Sequence, residues 1–246
     1  PDTAEKLLAL GRADLVGFGR PLLADPELPN KARAGRVQEI RPCVACNQGC
    51  LANTFFDRPI TCLVNGRCGQ ELTLPLRHAA APKRVLVIGG GPAGCEAAYR
   101  AAEKGHQVTL MEQSHALGGQ LRQVVHVPAR QEFQTLLSFY ETNLQRLGVR
   151  ILRNRKATPA DAQGYDQVIV ATGGAPNHTV LPVEPDAVPV YTAREILSGQ
   201  IMAGQSVVVI GGSYIGCFTA QYLAREGAMS PEELFFSLSN RSDTME

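Results

Sequence analysis

Residues 84–94 read RVLVIGGGPAG, an apolar run from Arg84 to Ile88 followed by three glycines, Pro92, Ala93 and a fourth glycine at Gly94. The run is short and rich in β-branched residues, as a buried strand of a parallel sheet should be. Gly89, Gly91 and Gly94 fit the spacing G-x-G-x-x-G. Gly89 permits a tight turn, Gly91 lets backbone N–H groups approach a pyrophosphate, and Gly94 allows close helix–strand packing. Pro92 and Ala93 open the helix whose N-terminus faces the phosphates. CEAAYRAAEKG then reads as a helix ending at Gly105, and HQVTLMEQ as a second strand ending at Glu112 and Gln113. Glu112 stands 18 residues past Gly94, where an acid holds ribose hydroxyls. The stretch predicts a βαβ unit that binds a dinucleotide. Its bland alternative is a glycine-rich turn with no ligand.

Downstream, QEFQTLLSFYETNLQRLG reads as a helix, and VRILRN and YDQVIVATGG as further strands. LGGQL carries a second glycine pair, with Gly119 and Gln120 suited to backing a pyrophosphate, and Ala171, Thr172 and Gly173 form a small-residue turn. Near Ser206 the strand–glycine–helix pattern begins again, about 120 residues after the first: SVVVIGGSYIGCFTAQYLAREG. Gly211, Gly212, Ser213 and Gly216 mark this second turn, with Ser213 where the middle glycine should be. Its Cβ crowds a pyrophosphate, or its hydroxyl donates to one. After Gly227 an acid-ended strand is expected, yet Ser230-Pro231-Glu232-Glu233 reads as a helix start.

Upstream, AEKLLALG reads as the end of an amphipathic helix closed by Gly11, Ala13–Phe18 as a buried strand, and ADPELPNKARAGR as a helix with Asp25 as N-cap and Pro26 at its first position. This is one repeat of an α/β barrel or of a doubly wound sheet. Residues 39–80 break the rhythm. They hold Cys43, Cys46, Cys50 and Cys62 in the spacing C-x2-C-x3-C-x11-C. Disulfides, zinc and an iron–sulfur cluster compete for these thiols. A cytosolic type of fold argues against disulfides. Structural zinc more often shows two C-x2-C pairs on separate knuckles. Three thiolates on one short loop with a fourth further on suit a 4Fe–4S cubane best. Cys68 reads as a bystander, and Cys95 and Cys217 as small buried thiols that pack after the two glycine turns.

Composition narrows the classes. The 246 residues are 44% hydrophobic and 19% charged, with net charge +1, which suits a globular protein and calls for neither nucleic acid nor a membrane surface. No apolar run approaches the roughly 20 residues that span a bilayer.

The glycine pair and small-residue turn resemble those of two-dinucleotide flavoprotein reductases, which implies FAD at the first turn and NAD(P)H at the second. The order GFGRPLLADP, RPCVACNQGC, CLVNGRCG and VLVIGGGPAG resembles the C-terminal portion of the NADH:flavin oxidoreductases that extend the old yellow enzyme barrel. That branch includes 2,4-dienoyl-CoA reductase, 2-enoate reductase and trimethylamine dehydrogenase. The resemblance covers essentially the whole chain. It implies the end of an FMN-binding (β/α)8 barrel over 1–38, with Gly19 and Arg20 on the FMN phosphate. An iron–sulfur segment over 39–80, an FAD domain over 81–203 and the start of an NAD(P)-binding domain over 204–246 would follow. The implied parent is a cytoplasmic enzyme that passes electrons from NAD(P)H through FAD and the cluster to FMN. It would reduce an activated C=C bond of an enoyl-CoA or enoate. Alternatives are an amine dehydrogenase or demethylase with ADP in the FAD pocket, and a non-catalytic electron-transfer or nucleotide-binding module. The family's acid catalysts match no position here, and nothing in the residues sets an oligomeric state. The chain is expected to be an internal fragment without activity of its own, with 1–38 and 229–246 loosely held and the best order in 84–174.

Overall fold

The computed structural model describes residues 2–175 and 188–227. Arg84–Ile88 (β1), Gln107–Met111 (β2), Arg150–Leu152 (β3) and Gln167–Val170 (β4) form one parallel sheet in the order β3-β2-β1-β4. The α-helices are Asp2–Ala9 (α1), Arg20–Ala24 (α2), Leu28–Arg33 (α3), Leu51–Phe55 (α4), Pro92–Glu103 (α5), Leu121–Val124 (α6), Phe133–Arg146 (α7), Ala193–Leu197 (α8) and Tyr214–Gly227 (α9). The class is α/β, as expected. No helix among the described residues is long and apolar enough to cross a membrane.

β1 lies between β2 and β4, with Val87 opposite Leu110 on one side and Ile169 on the other. Val85, Leu86 and Val87 are all buried, which is why this strand reads as a continuous apolar run. α5 crosses from β1 to β2, and α7 from β2 to β3. The chain then returns past β1, so the strand order reverses between β1 and β4. Crevices that hold ligands form at such a reversal, outside the carboxyl ends of the strands. α5 and α7 pack together through Tyr99 and Phe139, whose ring centroids are 5.4 Å apart. Leu144 and Asn143 of α7 are fully buried, and the Asn143 amide donates to the Gln38 carbonyl at 2.8 Å. That bond ties the segment before the cysteines to the sheet domain.

Three local expectations change. Ala13–Phe18 forms no strand, and Leu15 is 90% exposed. Residues 206–210 form none either, with Val208 87% exposed. A strand is defined by its ladder, and among the described residues neither run has a neighbour to pair with. The helix expected from Asp25 starts at Leu28, with Glu27 as N-cap and Pro29 in its first turn. Asp25 is instead a buried junction. Its carboxylate accepts from Glu27 N at 3.1 Å, from Lys31 Nζ at 2.6 Å and from Arg41 N at 2.8 Å. The expected helix start at Ser230–Glu233 and the segment 229–246 lie outside the described residues.

Candidate functional site

Three patches converge at the carboxyl ends of β1 and β4. The first is the turn at Gly89–Gly94. Gly89 has φ +106°, and a Cβ there would lie 2.2 Å from the Ala171 carbonyl oxygen. A Cβ on Gly94 would lie 1.8 Å from the Gly89 carbonyl oxygen. Both positions are therefore glycine for the sake of the fold. Gly91 differs, because a Cβ there would meet nothing within 4 Å. It caps α5 in extended backbone that any residue adopts. The fold does not require glycine at Gly91, whereas a pyrophosphate lying against it does.

The second patch is the LGGQL turn. Gly118 N donates to Gly90 O at 2.7 Å, and a Cβ on Gly119 would stand 3.1 Å from the Gly91 Cα. The third is Ala171–Gly174, joined to β1 by Ala171 N to Ile88 O at 2.8 Å and to the second patch by Gln120 Nε2 to Gly174 O at 3.2 Å. Glu112 closes the group from the end of β2. Its carboxylate accepts from Gly90 N at 2.6 Å and from Ser114 N and Oγ at 2.7 Å each. Burial alone would raise this carboxyl, but the Ser114 and Gly90 donors outweigh burial and hold it below the usual range. An ionised acid sits where ribose hydroxyls are read, and the residues present fit the adenosine and pyrophosphate parts of FAD. Sequence reasoning missed Ser114. Its signal was a small hydroxyl two residues after the acid.

The second turn repeats the first in detail. Gly211 has φ +112°, and a Cβ on Gly216 would lie 1.7 Å from the Gly211 carbonyl oxygen. Cys217 Sγ donates to Gly212 O at 3.3 Å, as Cys95 Sγ does to Gly90 O at 3.2 Å. Ser213 occupies the place equivalent to Gly91, which the first turn leaves free of protein contact, so its side chain costs the fold nothing there. Gly211, Gly212 and Ser213 are exposed, and so is Cys217, which was expected to be buried. Among the described residues no strand ladder lies above that thiol to bury it.

Cys43, Cys46, Cys50 and Cys62 line one open pocket, together with Arg20, Asn47 and Gly49. Two devices turn the thiols inward. Ala45 and Asn47 both have positive φ, at 51° and 59°, which coils the loop around Cys46. Gly49 and Thr61, the residues just before Cys50 and Cys62, are hydrogen-bonded at 2.7 Å from Thr61 N to Gly49 O. A Cβ on Gly49 would be 2.6 Å from Thr61 Oγ1, so only glycine allows this approach. Among the described residues no three His, Cys, Asp or Glu side chains are arranged to hold a single metal ion. Thiolates on one zinc would meet about 3.8 Å apart, given Zn–S bonds of about 2.3 Å in a tetrahedron. Thiolates at the corners of a cubane stand further apart, so the lack of a single-ion arrangement does not bear against a cluster at this pocket. Cys68 is buried and is not among the residues lining the pocket.

Gly19 caps α2, and the exposed Arg20 donates from Nη1 to Asn47 Oδ1 at 2.5 Å, so the pair expected on an FMN phosphate sits at the rim of the cysteine cavity. A residue missed from sequence is Arg41, two positions before Cys43. Its buried guanidinium donates from Nη1 to Val64 O and to Glu96 Oε2, each at 2.7 Å. It lies 5.0 Å from the Tyr99 ring centroid and 4.8 Å from that of Phe139. Burial opposes its charge, yet Glu96 and Tyr140 hold its pKa above the ordinary arginine value. Arg41 thus joins the cysteine loop to α5 and α7.

A parallel sheet with a glycine turn at its reversal point and an acid at the end of the next strand defines a dinucleotide-binding domain. Residues 83–231 match the family described as pyridine nucleotide-disulphide oxidoreductase. The chain belongs to that family over these residues and, taken with its relatives, to the old-yellow-enzyme-like NADH:flavin oxidoreductases. It is 42% identical over 99% of its length to a metal reductase of Desulforamulus reducens, covering 37% of that protein. An NADH oxidase of Thermoanaerobacter brockii is 41% identical over 93% of the chain, which covers 36% of it. A cinnamate reductase of Clostridium sporogenes is 37% identical over 92% of the chain, which covers 34% of it. The solved structure of a 2-naphthoyl-CoA reductase with 2-naphthoyl-CoA matches all of the chain at TM-score 0.87 and 35% identity, the chain covering 39% of that molecule. The chain thus spans 34–39% of these relatives.

Proposed function

We infer that this chain belongs to an iron–sulfur flavoprotein oxidoreductase in which electrons run from NAD(P)H to FAD, singly through a 4Fe–4S cluster, and on to FMN for reduction of an activated C=C bond. The observation that carries the reading is the pairing of two sites on one body. Four cysteines ring one cavity, and Arg41 ties their loop to the helix that opens on the dinucleotide turn. The domains would be 1–38, 39–80, 81–203 and 204–246, in the order barrel end, iron–sulfur segment, FAD domain and start of the NAD(P) domain.

Each residue has a task under this reading. Gly91, Pro92 and Ala93 present the start of α5 to the FAD pyrophosphate, while Gly89 and Gly94 shape the turn. Gly119, Gln120 and Ala171–Gly173 close over it, and Glu112 and Gln113 meet the ribose. Cys43, Cys46, Cys50 and Cys62 hold the irons, and Arg20 reaches from Gly19 toward an FMN phosphate. Gly211, Gly212, Ser213 and Gly216 would take the NAD(P)H pyrophosphate. The bound groups supply the redox chemistry, and the protein positions them and sets their potentials. Relatives named for cinnamate and naphthoyl-CoA reduction support an unsaturated acid or acyl-CoA as the acceptor.

The test uses the full-length protein under anaerobic conditions. NADH should bleach the flavin within the mixing experiment, and an enoate or enoyl-CoA should restore the colour. Flavin that is reduced by an amine and untouched by NADH would support outward electron flow instead. No flavin reduction by either would leave a binding module.

A further inference from the structure

One cation faces the cysteine pocket. Apart from the thiols, Arg20 carries the single charge among the described residues that line it, and no carboxylate lines it. Nor does a salt bridge engage Arg20 anywhere among the described residues. Arg41, by contrast, is neutralised by Glu96 at 2.7 Å. Arg20 is nevertheless held. Its Nη1 donates at 2.5 Å to Oδ1 of Asn47, which stands between Cys46 and Cys50 where the loop turns at positive φ. Asn47 is a neutral acceptor, so it fixes the guanidinium without cancelling its charge, as a carboxylate would. The helix that carries Arg20 is tied to the far side of the pocket too: the Asn65 amide, just after Val64 of the lining, donates to Leu23 O at 2.9 Å.

Resting on the iron–sulfur reading above, we propose that Arg20 has a second task besides an FMN phosphate: its guanidinium, tethered to Asn47 at the wall of the cysteine pocket, raises the reduction potential of the cluster by its charge. Four thiolates and a 4Fe–4S core together are an anion, and one added electron makes that unit one charge more negative. A cation at the wall favours the more negative form, and the potential of such a cluster follows the charge around it and its exposure. Two things set the size of the effect. Val44 and Val64 line the pocket and are buried, so part of the field runs through apolar protein, where charges act more strongly than in water. Arg20 itself is exposed, so water and salt screen part of its charge. The balance is a shift of a few-fold in the redox equilibrium. Nη1 is the atom that Asn47 takes, which leaves the other donors of the fork for the phosphate. One side chain would then stand between the two cofactors, holding one and tuning the other.

The experiment is an EPR-monitored redox titration of the full-length holoenzyme with dithionite, for the parent, Arg20→Gln, Arg20→Lys and Arg20→His, with iron and flavin counted in each and ratios compared at equal FMN content. Arg20→Gln should lower the reduced-to-oxidised ratio of the cluster at a fixed potential about threefold, equivalent to ~28 mV for one electron. Added salt should shrink that difference. Arg20→Lys keeps the charge and should stay closer to the parent. A residue that serves only the phosphate would change FMN content and leave the cluster ratio in place, and that result overturns the proposal. So does a shift in Arg20→Lys as large as that in Arg20→Gln, which would assign the effect to the fork and not to the charge. Arg20→His makes the charge switchable near the ordinary histidine value of about 6.5. Its ratio, taken relative to the parent at the same pH, should rise as pH falls through that value, and a flat relative ratio overturns the proposal. Should Arg20→Gln fail to load iron, this comparison decides. A parent protein that takes up no iron overturns the cluster reading itself, and is told apart by the iron count alone.

Discussion

The α-carbon of Gly94 faces the carbonyl of Gly89 so closely that a Cβ would stand 1.8 Å from its oxygen, while a Cβ on Gly91 between them would touch nothing within 4 Å. One motif therefore contains two kinds of glycine. Gly89 and Gly94 serve the chain, and Gly91 serves whatever lies beside it.

The contrast is measurable. Gly94→Ala should destabilise the domain by about 3 kcal/mol, the upper end for overpacking, because the clashing atom is backbone. Gly91→Val should cost only about 1 kcal/mol, the loss of a better helix cap, and still abolish flavin binding. Urea unfolding and flavin content of the two variants check both halves. Full flavin occupancy in Gly91→Val would refute the site.

Glu112 supplies a pH dependence of known sign. Its folded carboxyl lies below the usual range through the donors from Ser114 and Gly90, despite burial. The stabilisation is then complete above the ordinary glutamate value of about 4.3 and is lost as pH falls through the lower folded value. Glu112→Gln should flatten the acid side of a stability–pH curve. Glu112→Ala should cost about 1–3 kcal/mol in flavin binding, from ribose hydroxyls left unpaired. An acid limb of unchanged slope in Glu112→Gln would assign the titration elsewhere.

The cysteine cavity depends on the approach of Gly49 to Thr61. Gly49→Ala places a Cβ 2.6 Å from Thr61 Oγ1 and 2.8 Å from Thr61 O, which must push Cys50 away from Cys62. Anaerobic reconstitution of the parent should give about four irons per chain with broad absorbance in the visible blue. Gly49→Ala should fall well short of that, while Phe55→Ala, at an exposed position on α4, should not. Stoichiometric zinc without iron uptake in the parent would defeat the prediction.

The two thiols that follow the glycine turns should differ in reactivity. Cys95 is buried, and burial pushes its thiol up to about 12, so it stays protonated and inert at neutral pH. Cys217 makes the same sulfur-to-carbonyl bond but is exposed. Alkylation with a thiol reagent at mildly alkaline pH should mark the exposed Cys217 and spare the buried Cys95, as read by peptide mass mapping.

Residue order alone carried the α/β class, the strands β1 to β4, the helices α5 and α7, and the glycine turn with its acid. These are written in short-range geometry. Gly89, Gly91 and Gly94 act on one another within six residues, and an apolar run next to a 3.6-residue period is a local signal. Runs such as Ala13–Phe18 and Ser206–Ile210 carry the same apolar signal, and neither forms a ladder, because pairing is a property of two segments and each run is only one. The cysteine spacing was legible too, but not what aims the thiols. The Thr61–Gly49 bond closes a loop across 12 residues. Arg41 reaches Val64, Glu96 and Tyr140 across separations of 23, 55 and 99 residues. No period in the chain encodes such distances. They are settled only when α5 and α7 pack on the sheet and leave one buried charge facing one carbonyl, since a guanidinium removed from water takes whichever acceptors the packed fold supplies.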